Sequence, residues 1–124
     1  MNEPVRMGEQ PEAPLRITIE RVESADVVRL AGDLDLLTAP LLRDQLWPLL
    51  ERPGGLTLVD LNELSFLGSA GLSELAAAND TALRNGVRLV LVATSRTVLR
   101  PLEVTGLHTL FPIFESVDAA FSAL

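Results

Sequence analysis

Apolar positions along the chain change period several times, and each change marks an element. Leu15, Ile17 and Ile19 alternate with Arg16, Thr18 and Glu20, the period of a half-buried strand. A polar turn around Glu23-Ser24 follows, and Val27-Val28-Arg29-Leu30-Ala31 supplies a second strand. So short a connection makes the two antiparallel neighbours. At Gly32 the chain is expected to leave this strand and run through Asp33-Leu34-Asp35-Leu36-Leu37 to Thr38. Thr38 reads as an N-cap with Pro40 in the first turn, and Leu42, Leu46, Leu49 and Leu50 form one apolar face, so a helix is predicted from about Ala39 to Glu51. Pro48 should loosen its last turn, Trp47 reads as a partly buried packing residue, and Pro53-Gly54-Gly55 ends it.

The apolar run Leu56-Thr57-Leu58-Val59-Asp60-Leu61 then reads as a buried strand. After Phe66-Leu67-Gly68, the spacing of Leu72, Leu75, Ala76 and Leu83 predicts a helix that starts at Ser69 and ends at Asn85-Gly86. Val87 to Val92 is another strand, and Thr94-Ser95 can cap a helix carrying Val98, Leu99 and Leu102 that Gly106 stops in a left-handed conformation. Phe111 to Phe114 fits a short edge strand and Val117 to Phe121 a last short helix. Strands alternating with helices after a hairpin predict one α/β domain from Leu15 onward, with a mixed, mostly parallel sheet of four to five strands and about four helices. The first 14 residues carry three prolines and three glutamates with no apolar periodicity and read as a mobile tail.

Composition narrows the chemistry. With 48% hydrophobic residues in 124, the chain can bury one core without staples. It has no cysteine and one histidine, His108, so neither thiol chemistry nor a metal centre of ordinary ligand spacing is expected. A net charge of −7 with no basic patch argues against direct nucleic-acid binding. No apolar run approaches the roughly 20 residues of a membrane span, so a soluble, cytoplasmic protein with no membrane insertion is expected.

Asp33, Asp35, Thr38, Ser69 and Ser95 all fall where a strand gives way to a helix, and such junctions gather at the carboxyl ends of strands. Each has a plainer reading as a cap or a solvated turn former. Hydrolysis at the corner of Asp33, Asp35 and Ser69 is conceivable, but His108 has no marked acidic partner in sequence and Gly68-Ser69-Ala70-Gly71 lacks the glycine spacing of a nucleophile elbow. All ten cations are arginine, so no phosphate loop with lysine exists and no cofactor is expected.

Three segments in order carry a resemblance to a known family. They are Gly32-Asp33-Leu34-Asp35 with Thr38-Ala39; Leu64-Ser65-Phe66-Leu67-Gly68-Ser69-Ala70-Gly71-Leu72; and Ser95 to Val98, Leu102 and Thr105-Gly106-Leu107. Over about nine-tenths of its length the chain resembles the STAS domain of anti-sigma factor antagonists. That resemblance implies a non-enzymatic protein that binds an anti-sigma factor with serine-kinase activity and so frees a sigma factor. It implies phosphorylation at Ser69 and a partner-binding surface of Asp33, Asp35, Thr38, Gly68, Ser69, Ala70, Gly71 and Leu72. The family's motif is commonly Asp-Ser-Ser/Thr-Gly-Leu, so Gly68 and Ala70 depart from it. A STAS domain can also serve a lipid-transport system or a signalling scaffold as an unphosphorylated docking module.

Overall fold

A computed structural model describes residues 14–124. The tail expected over residues 1–14 therefore lies, but for Pro14, outside the described residues. Pro14 itself is engaged, its carbonyl accepting the Asp33 N–H at 2.8 Å.

Strand β1 (Leu15–Val22) turns at Glu23-Ser24 into β2 (Ala25–Leu34), the two antiparallel, and Glu23 takes the left-handed φ of 57° that so tight a turn requires. Then follow α1 (Ala39–Leu50), β3 (Leu56–Leu67), α2 (Ser69–Asn85), β4 (Arg88–Val92), α3 (Arg96–Thr105), a 3-10 turn (Leu107–Thr109), β5 (Ile113–Phe114) and α4 (Val117–Ala123). The five strands lie in chain order, β2 to β5 all parallel. Three successive crossovers between parallel strands put α1, α2 and α3 on one face. Leu42, Leu46 and Leu50 of α1, Leu72 and Leu75 of α2, and Val98 and Leu102 of α3 share one core there with Val28, Leu30, Val59 and Leu91. On the other face α4 covers only part of the sheet, with Ala120 packed among Val27, Leu58, Val90 and Val92.

Several expectations are corrected. Gly32 does not end β2; the strand bulges against β3 on either side of it and continues to Leu34, so Asp33 is a strand residue opposite Phe66. Strand β3 runs six residues beyond Leu61, with Leu64 and Leu67 turned in and Glu63, Ser65 and Phe66 turned out. In α2, Leu83 is exposed, and the buried stripe passes instead from Leu72 and Leu75 to Ala78, Thr81 and Ala82. Ser95 occupies the N-cap of α3, yet its hydroxyl makes no capping bond and is buried without a partner. The effective side-chain cap is at α4, where Ser116 Oγ accepts the Ala119 N–H at 2.9 Å.

Other expectations hold. Gly106 stops α3 at φ 78°, and Trp47 is half-buried with Arg43 stacked 4.2 Å over its ring.

Candidate functional site

The chain between β2 and α1 is held by a reciprocal set of hydrogen bonds. Asp35 Oδ1 accepts the N–H groups of Leu37 and Thr38, each at 3.0 Å, and the Asp35 carbonyl accepts Ala39 N–H at 2.9 Å. Thr38 Oγ1 accepts the Asp35 N–H at 2.9 Å and donates to the Asp33 carbonyl at 2.7 Å. The reciprocal bonding is that of a capping box, set in the turn ahead of α1 and with threonine where glutamate or glutamine is usual. Thr38 stands at the N-cap of α1, as expected, but its hydroxyl caps no helix N–H; with the Asp35 carboxylate it closes the turn that leads into the helix. Leu36 and Leu37, inside this turn, are 78% and 85% exposed and contribute nothing to the apolar face that reveals the helix.

Across the sheet, Gly68 N–H donates to the Leu34 carbonyl at 3.0 Å, joining the carboxyl ends of β2 and β3. Ser69 then begins α2, exposed, at the end where backbone N–H groups are unsatisfied and the helix dipole is positive. An open depression is lined by Asp35, Leu36, Phe66, Gly68, Ser69, Ala70 and Ser73. On its other side Ser69 borders a second hollow with Leu72, Thr105 and Leu107. The last segment of the sequence resemblance thus arrives beside the serine.

The structure brings together Asp35, Gly68, Ser69 and Ala70 and treats the remaining candidates differently. Asp33 does not line the depression. Thr38, Gly71 and Leu72 are buried and support the surface from beneath. Among the described residues, the only charged side chain lining the depression is the Asp35 carboxylate. His108 lies in the 3-10 turn, its Nδ1 3.4 Å from the Leu102 carbonyl, and it lines neither hollow. Among the described residues, no three His, Cys, Asp or Glu side chains could hold a metal ion, and no helix is long and apolar enough to cross a membrane.

Sequence reasoning missed the apolar rim of Leu36, Leu37 and the half-exposed Phe66. Its signal was present: two leucines between the turn aspartate and its threonine have no buried face to serve. Phe66 also explains what Gly68 does. A Cβ on residue 68 would lie 2.7 Å from Phe66 Cε2, so the missing side chain is what lets the ring lie against the backbone beside Ser69.

Thr38→Val keeps the shape and removes both hydroxyl bonds. It should cost about 2 kcal/mol and speed amide exchange at Asp35 and Leu37, whereas unchanged exchange there would show that the hydroxyl does not hold the turn.

Residues 16–120 match the family model described as the STAS domain. The anti-sigma-F factor antagonist RsfB of Mycobacterium tuberculosis is 26% identical over 110 residues, 89% of each chain. The anti-sigma-B factor antagonist of Bacillus subtilis is 28% identical over 99 residues, covering 80% of this chain and 90% of its own. Among solved structures, an anti-sigma factor antagonist from Mycobacterium paratuberculosis superposes with a TM-score of 0.80 at 30% identity, over 91% of this chain and 95% of that one.

Proposed function

Because the chain belongs to the STAS domain family, we propose that it is an anti-sigma factor antagonist, which docks on an anti-sigma factor through the surface around Ser69 and so frees a sigma factor. The observation that carries this reading is the exposed Ser69 hydroxyl on the first residue of a 17-residue helix, beside Asp35 and an apolar rim. Leu36, Leu37 and Phe66 supply area that a partner can desolvate, and Asp35, its carboxylate fixed by two backbone N–H groups, supplies orientation. The protein acts by binding rather than by turnover, in the cytoplasm, and touches no nucleic acid itself.

The partner in this reading is of the serine-kinase type. Ser69 Oγ attacks the γ-phosphorus of its ATP, the bond to ADP breaks, and the hydroxyl proton is lost. The phosphoserine carries about −1.5 to −2 charges. The N-terminus of α2 accommodates that charge, so the fold persists. The docking surface changes more, because a dianion beside Asp35, with no cation among the described residues that line the depression, sets like charges together and adds a desolvation cost for the partner.

The test is to mix the purified protein with the kinase-type anti-sigma factors of its source and magnesium-ATP, then weigh the peptide containing Ser69. One added phosphate there is expected. Ser69→Ala should bind as the unmodified protein does, and Ser69→Glu at least about tenfold more weakly, near 1.4 kcal/mol. Equal affinity of the two variants would remove the switch, and phosphate on Ser69→Ala protein would move it to another residue.

A further inference from the structure

Strand β1 forms one margin of the sheet, and among the described residues no strand pairs with its outer side. Which of its backbone groups face outward follows from one bond. Asp33 N–H donates to the Pro14 carbonyl, extending by one step the register Leu15↔Gly32, Arg16↔Ala31. Hydrogen-bonded and non-bonded pairs alternate along an antiparallel ladder. Even-numbered residues of β1 therefore bond to β2, and Leu15, Ile17, Ile19 and Arg21 turn their N–H and C=O groups to the open side.

Sheets ordinarily blunt such a margin with charged side chains, proline or a bulge. Over its eight residues β1 has no proline, its pairing with β2 is unbroken, and its charges, Arg16, Glu20 and Arg21, are of both signs, so they need not repel a second copy. What it has is self-complementarity. If a second β1 is laid antiparallel about a two-fold axis at Thr18, Ile17 meets Ile19 of the other copy in the bonded pairs. On the opposite face Arg16 meets Glu20 of the other copy, twice by symmetry, in the non-bonded pairs where side chains approach most closely. Ile19, 40% exposed in the single chain, is covered. Glu20 keeps its in-chain partner, Arg29 Nη1 at 2.6 Å, and gains a second arginine.

We infer that the occupant of this edge is a second copy of the chain, joined β1 to β1 into a ten-stranded sheet. The two Ser69 surfaces, at the carboxyl ends of β3 in each copy, face opposite ways and both stay open. The inference rests on β1 alone and is independent of what binds at Ser69.

Sedimentation or native mass measurement on the full chain, from about 1 μM to about 1 mM, should show a reversible rise from 13.4 kDa to twice that mass. Ile19→Pro removes an outward N–H without touching the β1–β2 ladder, so a variant that keeps its circular dichroism should stay monomeric. A second pair tests the register without proline. Arg16→Glu and Glu20→Arg each set like charges opposite one another in a homodimer and should each weaken association about tenfold or more. Mixed together, they place Glu opposite Arg at both contacts and should recover a mixed dimer. A monomer throughout the range, whether because residues 1–13 cover the edge or for any other reason, would overturn the inference. So would association that survives Ile19→Pro, or charge variants that do not rescue each other.

Discussion

Gly32→Ala is expected to lower the unfolding free energy by about 3 kcal/mol, a large fraction of what a domain of this size has. Two causes combine. Gly32 has φ 113°, outside the range an L side chain accepts readily, and strain of this kind costs about 1–3 kcal/mol. Its missing Cβ would also overlap the Pro14 carbonyl oxygen, which is backbone and is itself bound to Asp33 N–H. Relief requires β1 and β2 to separate where the bulged register already weakens the join to β3. Gly54→Ala is the control: its φ is 80°, but nothing lies within 4 Å of the added methyl, so only about 1 kcal/mol is expected. Urea titration of both variants measures the difference. Equal midpoints would mean that the Pro14 end of the hairpin yields freely.

Gly71→Val should cost about 3 kcal/mol or more and also weaken partner binding. An ideal Cβ at Gly71 lies 2.6 Å from Leu34 Cγ and 2.9 Å from Leu67 Cδ1. Those leucines are the buried last residues of β2 and β3. Overpacking of this kind typically costs about 1–3 kcal/mol, and valine adds bulk beyond Cβ. The strain has one outlet, withdrawal of the first turn of α2 from the sheet, and that turn carries Ser69. A variant within 1 kcal/mol of the parent by denaturant titration would show that the contact is loose. A destabilised variant that still binds at full affinity would show that the position of Ser69 does not govern docking.

Gly71 also illustrates what the sequence conveys and what it withholds. The motif marks the residue, but its spacing role depends on two leucines from different strands, and no local pattern reports that meeting. Alternation in β1 and the apolar runs of β3 and β4 are legible because each residue's burial follows from its neighbours in sequence. Beyond Leu61 that link fails: Asn62, Glu63 and Ser65 interrupt the run while the ladder to β2 continues, so β3 reads six residues too short. In α2 the inward stripe is built largely from alanine and threonine, and the more conspicuous Leu83 draws the phase outward. Ser69 and Asp35 were accessible because strand-to-helix junctions are marked by residue type. The rim was less so: Phe66 looks like core until the fold shows otherwise, and Leu36 and Leu37 are marked only by standing between Asp35 and Thr38, off the apolar face of the helix.

The contact between Phe66 and Gly68 constrains how this motif can change over generations. An aspartate at 68, the commoner family residue, would in this chain have to push an aromatic ring further into water before its carboxylate could serve the serine. Substitution is therefore least costly in one order, first a smaller residue at 66 and then the acid at 68. Where the ring stays, a side chain at 68 must turn the ring's exposed far end aside, a modest cost that nonetheless couples the two positions.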